Sequence, residues 1–111
     1  MPTTADAYGS MMVLSVEPAL TRAEEKQFRQ AASEQIRSGG RWFILNLSRA
    51  GYFDSQGLEA LVWFQEQAEA VQGVVKVAGL KGLGRKTFEI ARFDKKFEVF
   101  DNVHDAVKSF H

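Results

Sequence analysis

The chain has 111 residues, 45% hydrophobic and 25% charged, which suits one globular domain with its own core. Lys+Arg and Asp+Glu are both 14, so the net charge is zero, and electrostatic capture of nucleic acid or of an anionic membrane is not expected. With no cysteine and only His104 and His111 as histidines, disulfides, thiolate metal sites and His-built centres are excluded, and neither metal nor cofactor is expected.

"MPTTADAYGS" lacks the charged and apolar regions of a signal peptide and is expected to be a loose leader, although Thr3–Tyr8 could supply a short first strand. No apolar run is long enough to span a bilayer, so no membrane insertion is expected and cytoplasm is the default location. "MMVLSV", Met11–Val16, reads as a strand stopped by Pro18. Thr21 and Glu24 have capping-box spacing, and Phe28, Ala31, Ala32 and Ile36 mark the buried stripe of the helix that follows. Gly39 and Gly40 end it.

"RWFILNL", Arg41–Leu47, is apolar on both alternations, which predicts a central strand covered on both faces. Ser48–Tyr52 is a turn, and "FDSQGLEAL" opens the next helix. Val74–Ala78 is a further strand, "KGLGRKTFEIARF" a glycine-containing turn into a short helix, and Lys96–Phe100 a short strand. "NVHDAVKSF" closes the chain as a helix with Val103, Ala106, Val107 and Phe110 on one face. Strands alternating with helices through short connections imply an α/β domain with mostly parallel pairing.

Advancing about 100° per residue from Ser55 puts Gly57, Leu58, Leu61, Phe64 and Ala68 on the core face. Gly57 then permits close approach of the helix to the sheet. Ser55, Glu59, Val62 and Glu66 fall on the opposite side, with Trp63 at its edge. Asp54 or Ser55 could cap the helix by accepting from Gly57 or Leu58 N–H. A tryptophan beside two glutamates is an awkward solvated surface and reads as an interface anchor; the alternative is that Trp63 packs under a loop or terminal helix. Ser55 has no histidine near it in sequence and no G-x-S-x-G elbow, so no catalytic residue is assigned and an enzyme is not expected.

Gly79–Thr87, "GLKGLGRKT", sits between a strand and a helix with Gly79-x4-Gly84 spacing, but Arg85 displaces Lys86-Thr87 from the phosphate-loop register. A solvated turn is the favoured reading. Gly82, Gly84, Arg85 and Lys86 are retained as a candidate anion site at a helix start.

"FILNLSRAGYFDSQGLEAL", followed by a helix and "GVVKVAGL", resembles the STAS domain, the fold of bacterial anti-sigma factor antagonists and of the cytoplasmic tails of some anion transporters. The match runs over nearly all of the chain after Met11, through "FEVFDNVHDAV", and its specific part is Asp54-Ser55-x-Gly57-Leu58 after an apolar strand. The resemblance implies a STAS-like α/β domain with a mixed, mostly parallel sheet of four to five strands and about four helices. It implies Ser55 as phosphoacceptor, an anti-sigma factor serine kinase as binding partner, and a phosphatase that resets the switch. Asp54, Gln56, Gly57, Glu59, Val62 and Trp63 are the expected partner-binding residues.

Several positions depart from the family pattern. Ala19-Leu20 stand where phosphorylated members usually carry an acid, with Glu17 or Glu24 as possible substitutes; Asn46-Leu47 replaces Asp-Leu; and Gln56 replaces a second serine. These departures bear on phosphorylation more than on fold. The alternative functions are a non-phosphorylated STAS docking module or accessory subunit of a transporter or signalling complex and, ranked lower, a nucleotide- or anion-binding domain using Gly79–Thr87.

Overall fold

Alternation of apolar side chains builds a two-faced sheet in the computed structural model, which describes residues 3–111. The elements run β1 (Thr3–Tyr8), β2 (Met11–Val16), α1 (Arg22–Arg37), β3 (Trp42–Asn46), α2 (Ser55–Glu69), β4 (Val74–Ala78), α3 (Gly82–Ile90), β5 (Val99–Phe100) and α4 (Val103–Ser109). The strands lie in the order β1-β2-β3-β4-β5; β1 is antiparallel to β2 and the remaining pairs are parallel. The expected single α/β domain with a mixed, mostly parallel sheet and four helices is what forms.

Each buried strand presents its even and odd residues to different helices. Leu14, Val16, Phe43, Leu45, Val75 and Val77 face a core filled by Phe28 and Ala32 of α1, Ala60, Leu61, Phe64 and Ala68 of α2, and Phe88 of α3. Phe64 is its hinge point: its ring meets Phe43 at 5.0 Å and Phe28 at 5.9 Å, both edge-on. The opposite face, with Met11, Val13, Ile44 and Ala78, is covered by Ala106, Val103, Val107 and Phe110 of α4. Residues of β3 thus enter both cores, as its doubly apolar pattern requires.

Lys76 is the one charged side chain buried among the described residues, at 7% exposure. Its ammonium donates to Ser109 Oγ at 2.9 Å and lies 4.2 Å from the Phe110 ring centroid, so it ties down the end of α4.

The end of the sheet differs from the sequence reading, and the start resolves an alternative in it. Thr3–Tyr8 forms the first strand that the sequence allowed as the alternative to a loose leader, because a two-residue loop at Gly9-Ser10 folds it back on β2. Gly9 has φ +61, which suits the first loop position of a hairpin turn. Lys96–Phe100 contracts to the two residues of β5. Phe97 is drawn instead into an aromatic cluster with Phe88 and Phe93, and its N–H donates to Phe93 C=O at 2.9 Å rather than to the ladder.

Candidate functional site

Strands β2 and β3 are parallel, so the loops after them emerge side by side. Those loops are tied together: Leu20 N–H donates to Tyr52 C=O at 3.0 Å, and Gly51 N–H to Pro18 C=O at 2.9 Å. Helices α1 and α2 therefore start next to each other, and Asp54 stands between the two starts. Its Oδ1 accepts from Gly57 N–H at 2.8 Å, capping α2, while its Oδ2 accepts from Arg22 N–H at 2.9 Å, at the first residue of α1. One carboxylate satisfies a free donor on each helix.

These bonds hold the Asp54 pKa below the ordinary carboxylate value, with the Arg22 N–H the largest cause and the Gly57 N–H the next. A depressed folded-state pKa stabilises the fold fully above the unfolded value, about 4, and that contribution is lost as pH falls through the lowered folded value. Asp54→Asn keeps one acceptor but turns an amide NH2 towards one of the two donors. The variant is expected to have a lower urea midpoint at neutral pH and a shallower loss below pH ~4, so that the two proteins converge in acid. Parallel curves at every pH would show that the carboxylate charge is not what ties the helices.

Gly57 lies under this clamp. A Cβ there would overlap the Leu20 carbonyl oxygen and come within 2.7 Å of the Leu20 carbonyl carbon. The sequence reading placed Gly57 against the sheet; the close approach is instead to the loop backbone at Leu20, which forms an isolated parallel bridge with Phe53. Gly57 is buried and acts as a spacer that sets the position of α2.

Because Asp54 supplies the cap, Ser55 is not needed for it. Ser55 is the first residue of α2, is exposed, and its hydroxyl bonds to no other described residue. Beside it runs an open groove of about 350 Å³, lined by Ser55, Leu58, Glu59, Val62, Trp63 and Glu66 with Phe93 on its far wall. Glu59, Val62 and Trp63 are therefore brought together with Ser55, as the helical spacing implied, while Gln56 is half-buried and outside the groove lining. Trp63 is also half-buried: it packs on the core, and the Arg29 guanidinium of α1 sits 4.9 Å from its ring centroid.

Two groove residues were missed from sequence. Leu58 packs against the core as its spacing implies, but it is half-buried and its outer side also lines the groove. Phe93 follows α3 and gave only an aromatic spacing with Phe88 and Phe97 as its signal. Of the two candidate substitutes for the family's extra acid, Glu24 Oε1 accepts from Thr21 N–H at 2.8 Å in the capping box, and Glu17 lies 3.7 Å from Arg49.

The Gly79–Thr87 segment is organised for packing. Gly84 is buried, with a Cβ there meeting the Phe53 ring at 3.2 Å, so it serves packing. Gly82 has φ +57 and serves the turn into α3. Arg85 faces Asp101 at 3.9 Å, Thr87 Oγ1 donates to Leu83 C=O at 2.9 Å, and Lys86 is exposed.

Fold and site together define a small α/β domain that presents an exposed serine at a helix start beside an open groove. The STAS domain family model matches residues 3–106, and the chain belongs to that family. BtrV of Bordetella bronchiseptica, named as a candidate anti-sigma factor antagonist, is 28% identical over 110 residues, covering 99% of this chain and 95% of that protein. An anti-sigma factor antagonist from Mycobacterium paratuberculosis superposes with a TM-score of 0.87 at 20% identity, covering 96% of this chain and 91% of that one. The Bacillus cell fate determinant SpoIIAA in its phosphorylated form gives 0.76 at 19% identity, covering 98% and 99%. At those identities the two structures attest the shared fold. No helix among the described residues is long and apolar enough to cross a membrane.

Proposed function

We propose that this STAS domain is a regulatory binding protein of the anti-sigma factor antagonist type, with no catalytic activity of its own, that docks an anti-sigma factor serine kinase through the α2 face around Ser55. Transfer of a phosphoryl group to Ser55 Oγ releases the partner, and a phosphatase restores the hydroxyl. Asp54, Glu59, Val62 and Trp63 surround the acceptor. The observation that carries this reading is the division of labour between Asp54 and Ser55: the aspartate holds both helix starts, which leaves the serine exposed and unbonded. The name of the Bordetella relative supports the same assignment.

A phosphate here fits the local physics. It would add about −1.5 to −2 charges at neutral pH. The helix start tolerates that charge, and the apolar groove walls Leu58, Val62, Trp63 and Phe93 turn it into a barrier for any partner surface packed over them. The test is intact-mass analysis with peptide mapping of the protein from its native cells under several growth conditions, beside a Ser55→Ala variant. One phosphate on the Ser55 peptide, absent from the variant, is the expected result. Unmodified wild-type protein under every condition, or equal modification of the variant, would sink the phosphorylation switch.

A further inference from the structure

The sheet is open at β1. This strand is bonded to β2, and no other described strand lies beyond it. The Gly9-Ser10 loop has two residues, so Tyr8 C=O accepts from Met11 N–H across the turn. Backbone direction alternates along an antiparallel ladder. Thr4, Asp6 and Tyr8 therefore bond to β2, while the N–H and C=O of Thr3, Ala5 and Ala7 point outward. The Gln27 side-chain amide donating to Thr3 C=O at 3.4 Å agrees with that parity and closes one end of the edge.

Exposed edges are ordinarily blunted by lysine, proline, a bulge or extreme shortness. Here the register with β2 is unbroken from Thr3 to Tyr8, and Asp6 is the single charge. Ala5 and Ala7 are exposed and too small to obstruct an approaching strand.

The geometry points to a second copy of this chain as the occupant: two β1 strands pair antiparallel across a twofold axis at Ala5, joining two sheets into one. The side chains select that register. A twofold axis normal to the sheet sets a residue opposite its own copy, with same-face neighbours paired around it. An axis at Asp6 would set two carboxylates directly opposite, at the closer of the two ladder spacings, about 4.5 Å between Cα atoms. An axis at Thr4 leaves Ala7 without a described partner. The axis at Ala5 sets Ala5 against Ala5 and Ala7 against Thr3, where the Gln27 amide must yield or share the Thr3 C=O, and it places the Thr4 hydroxyl opposite the Asp6 carboxylate twice. The groove beside Ser55 is built from α2 and Phe93, so pairing at β1 leaves it free.

A single strand pair is a small interface, and self-association is expected to be weak and concentration-dependent. Sedimentation velocity over a concentration series should show the mass of one chain rising towards two. Ala5→Pro removes an outward N–H without touching the β1–β2 ladder, and Ala5→Lys sets like charges on the axis; each is expected to weaken self-association by about tenfold or more. Circular dichroism and urea midpoints identify whichever variant keeps the native fold. A single-chain mass for the wild type across the whole series would overturn the proposal, as would self-association undiminished in a folded variant.

Discussion

Replacing Ser55 by aspartate is expected to weaken binding of the proposed anti-sigma partner by about 30-fold or more while leaving the fold in place. The site sets the sign of both effects. An unpaired carboxylate buried in a docked interface costs roughly 2–5 kcal/mol, and each 1.4 kcal/mol is about tenfold in affinity. On the free protein the same charge sits at the start of α2, where the helix dipole favours it by about 0.3–1 kcal/mol, offset by Asp54 and Glu59 nearby. Net stability should stay within about 0.5 kcal/mol of wild type. Calorimetric titration of the purified partner checks the first effect and urea denaturation the second. Ser55→Ala should bind as wild type does. An aspartate variant that binds undiminished would place Ser55 outside the interface.

Gly57→Ala is expected to destabilise the domain by about 3 kcal/mol or more, although helix propensity alone argues for a gain of about 0.5–1 kcal/mol. The steric effect decides the sign. The new methyl would collide with the Leu20 carbonyl, a backbone group held by the Leu20–Tyr52 hydrogen bond, which cannot rotate aside as a flexible side chain would. Relief requires moving α2 away from the β2–α1 loop, which also stretches the Asp54 bond to Arg22. The urea midpoint should fall with an unchanged slope, since the core and its buried surface remain the same. A loss below about 1 kcal/mol would mean that α2 shifts cheaply and the two helix starts are not rigidly joined.

The contrast between Gly57 and Ser55 shows where sequence was informative. Apolar periodicity located β2, β3, β4 and all four helices, because each buries a stripe whose spacing is written in the chain. The doubly apolar Arg41–Leu47 run even placed β3 at the centre. Periodicity was silent on β1, whose alanines and threonines carry little apolar signal and which depends on β2 for its partner. It overextended β5, because Phe97 is apolar at strand spacing yet is claimed by the Phe88–Phe93 cluster. In the site, helical spacing brought Ser55, Glu59, Val62 and Trp63 together. What it could not give was the neighbour across the fold: Leu20 against Gly57, Arg22 on Asp54, Arg29 over Trp63 and Phe93 across the groove all arise from contacts between elements distant in sequence.

The Asp54 clamp also bears on how quickly the domain can answer a signal. Its bond to Arg22 spans 32 residues of sequence, so the segment bearing Ser55 is pinned to a second helix. A segment held in that way does not have to order, melt or swing before a partner can read its charge. Large rearrangements in regulatory proteins occupy microseconds to seconds. Under the proposed switch, a site whose two states share one backbone would skip that interval, and its response time would be governed by the enzymes that add and remove the charge.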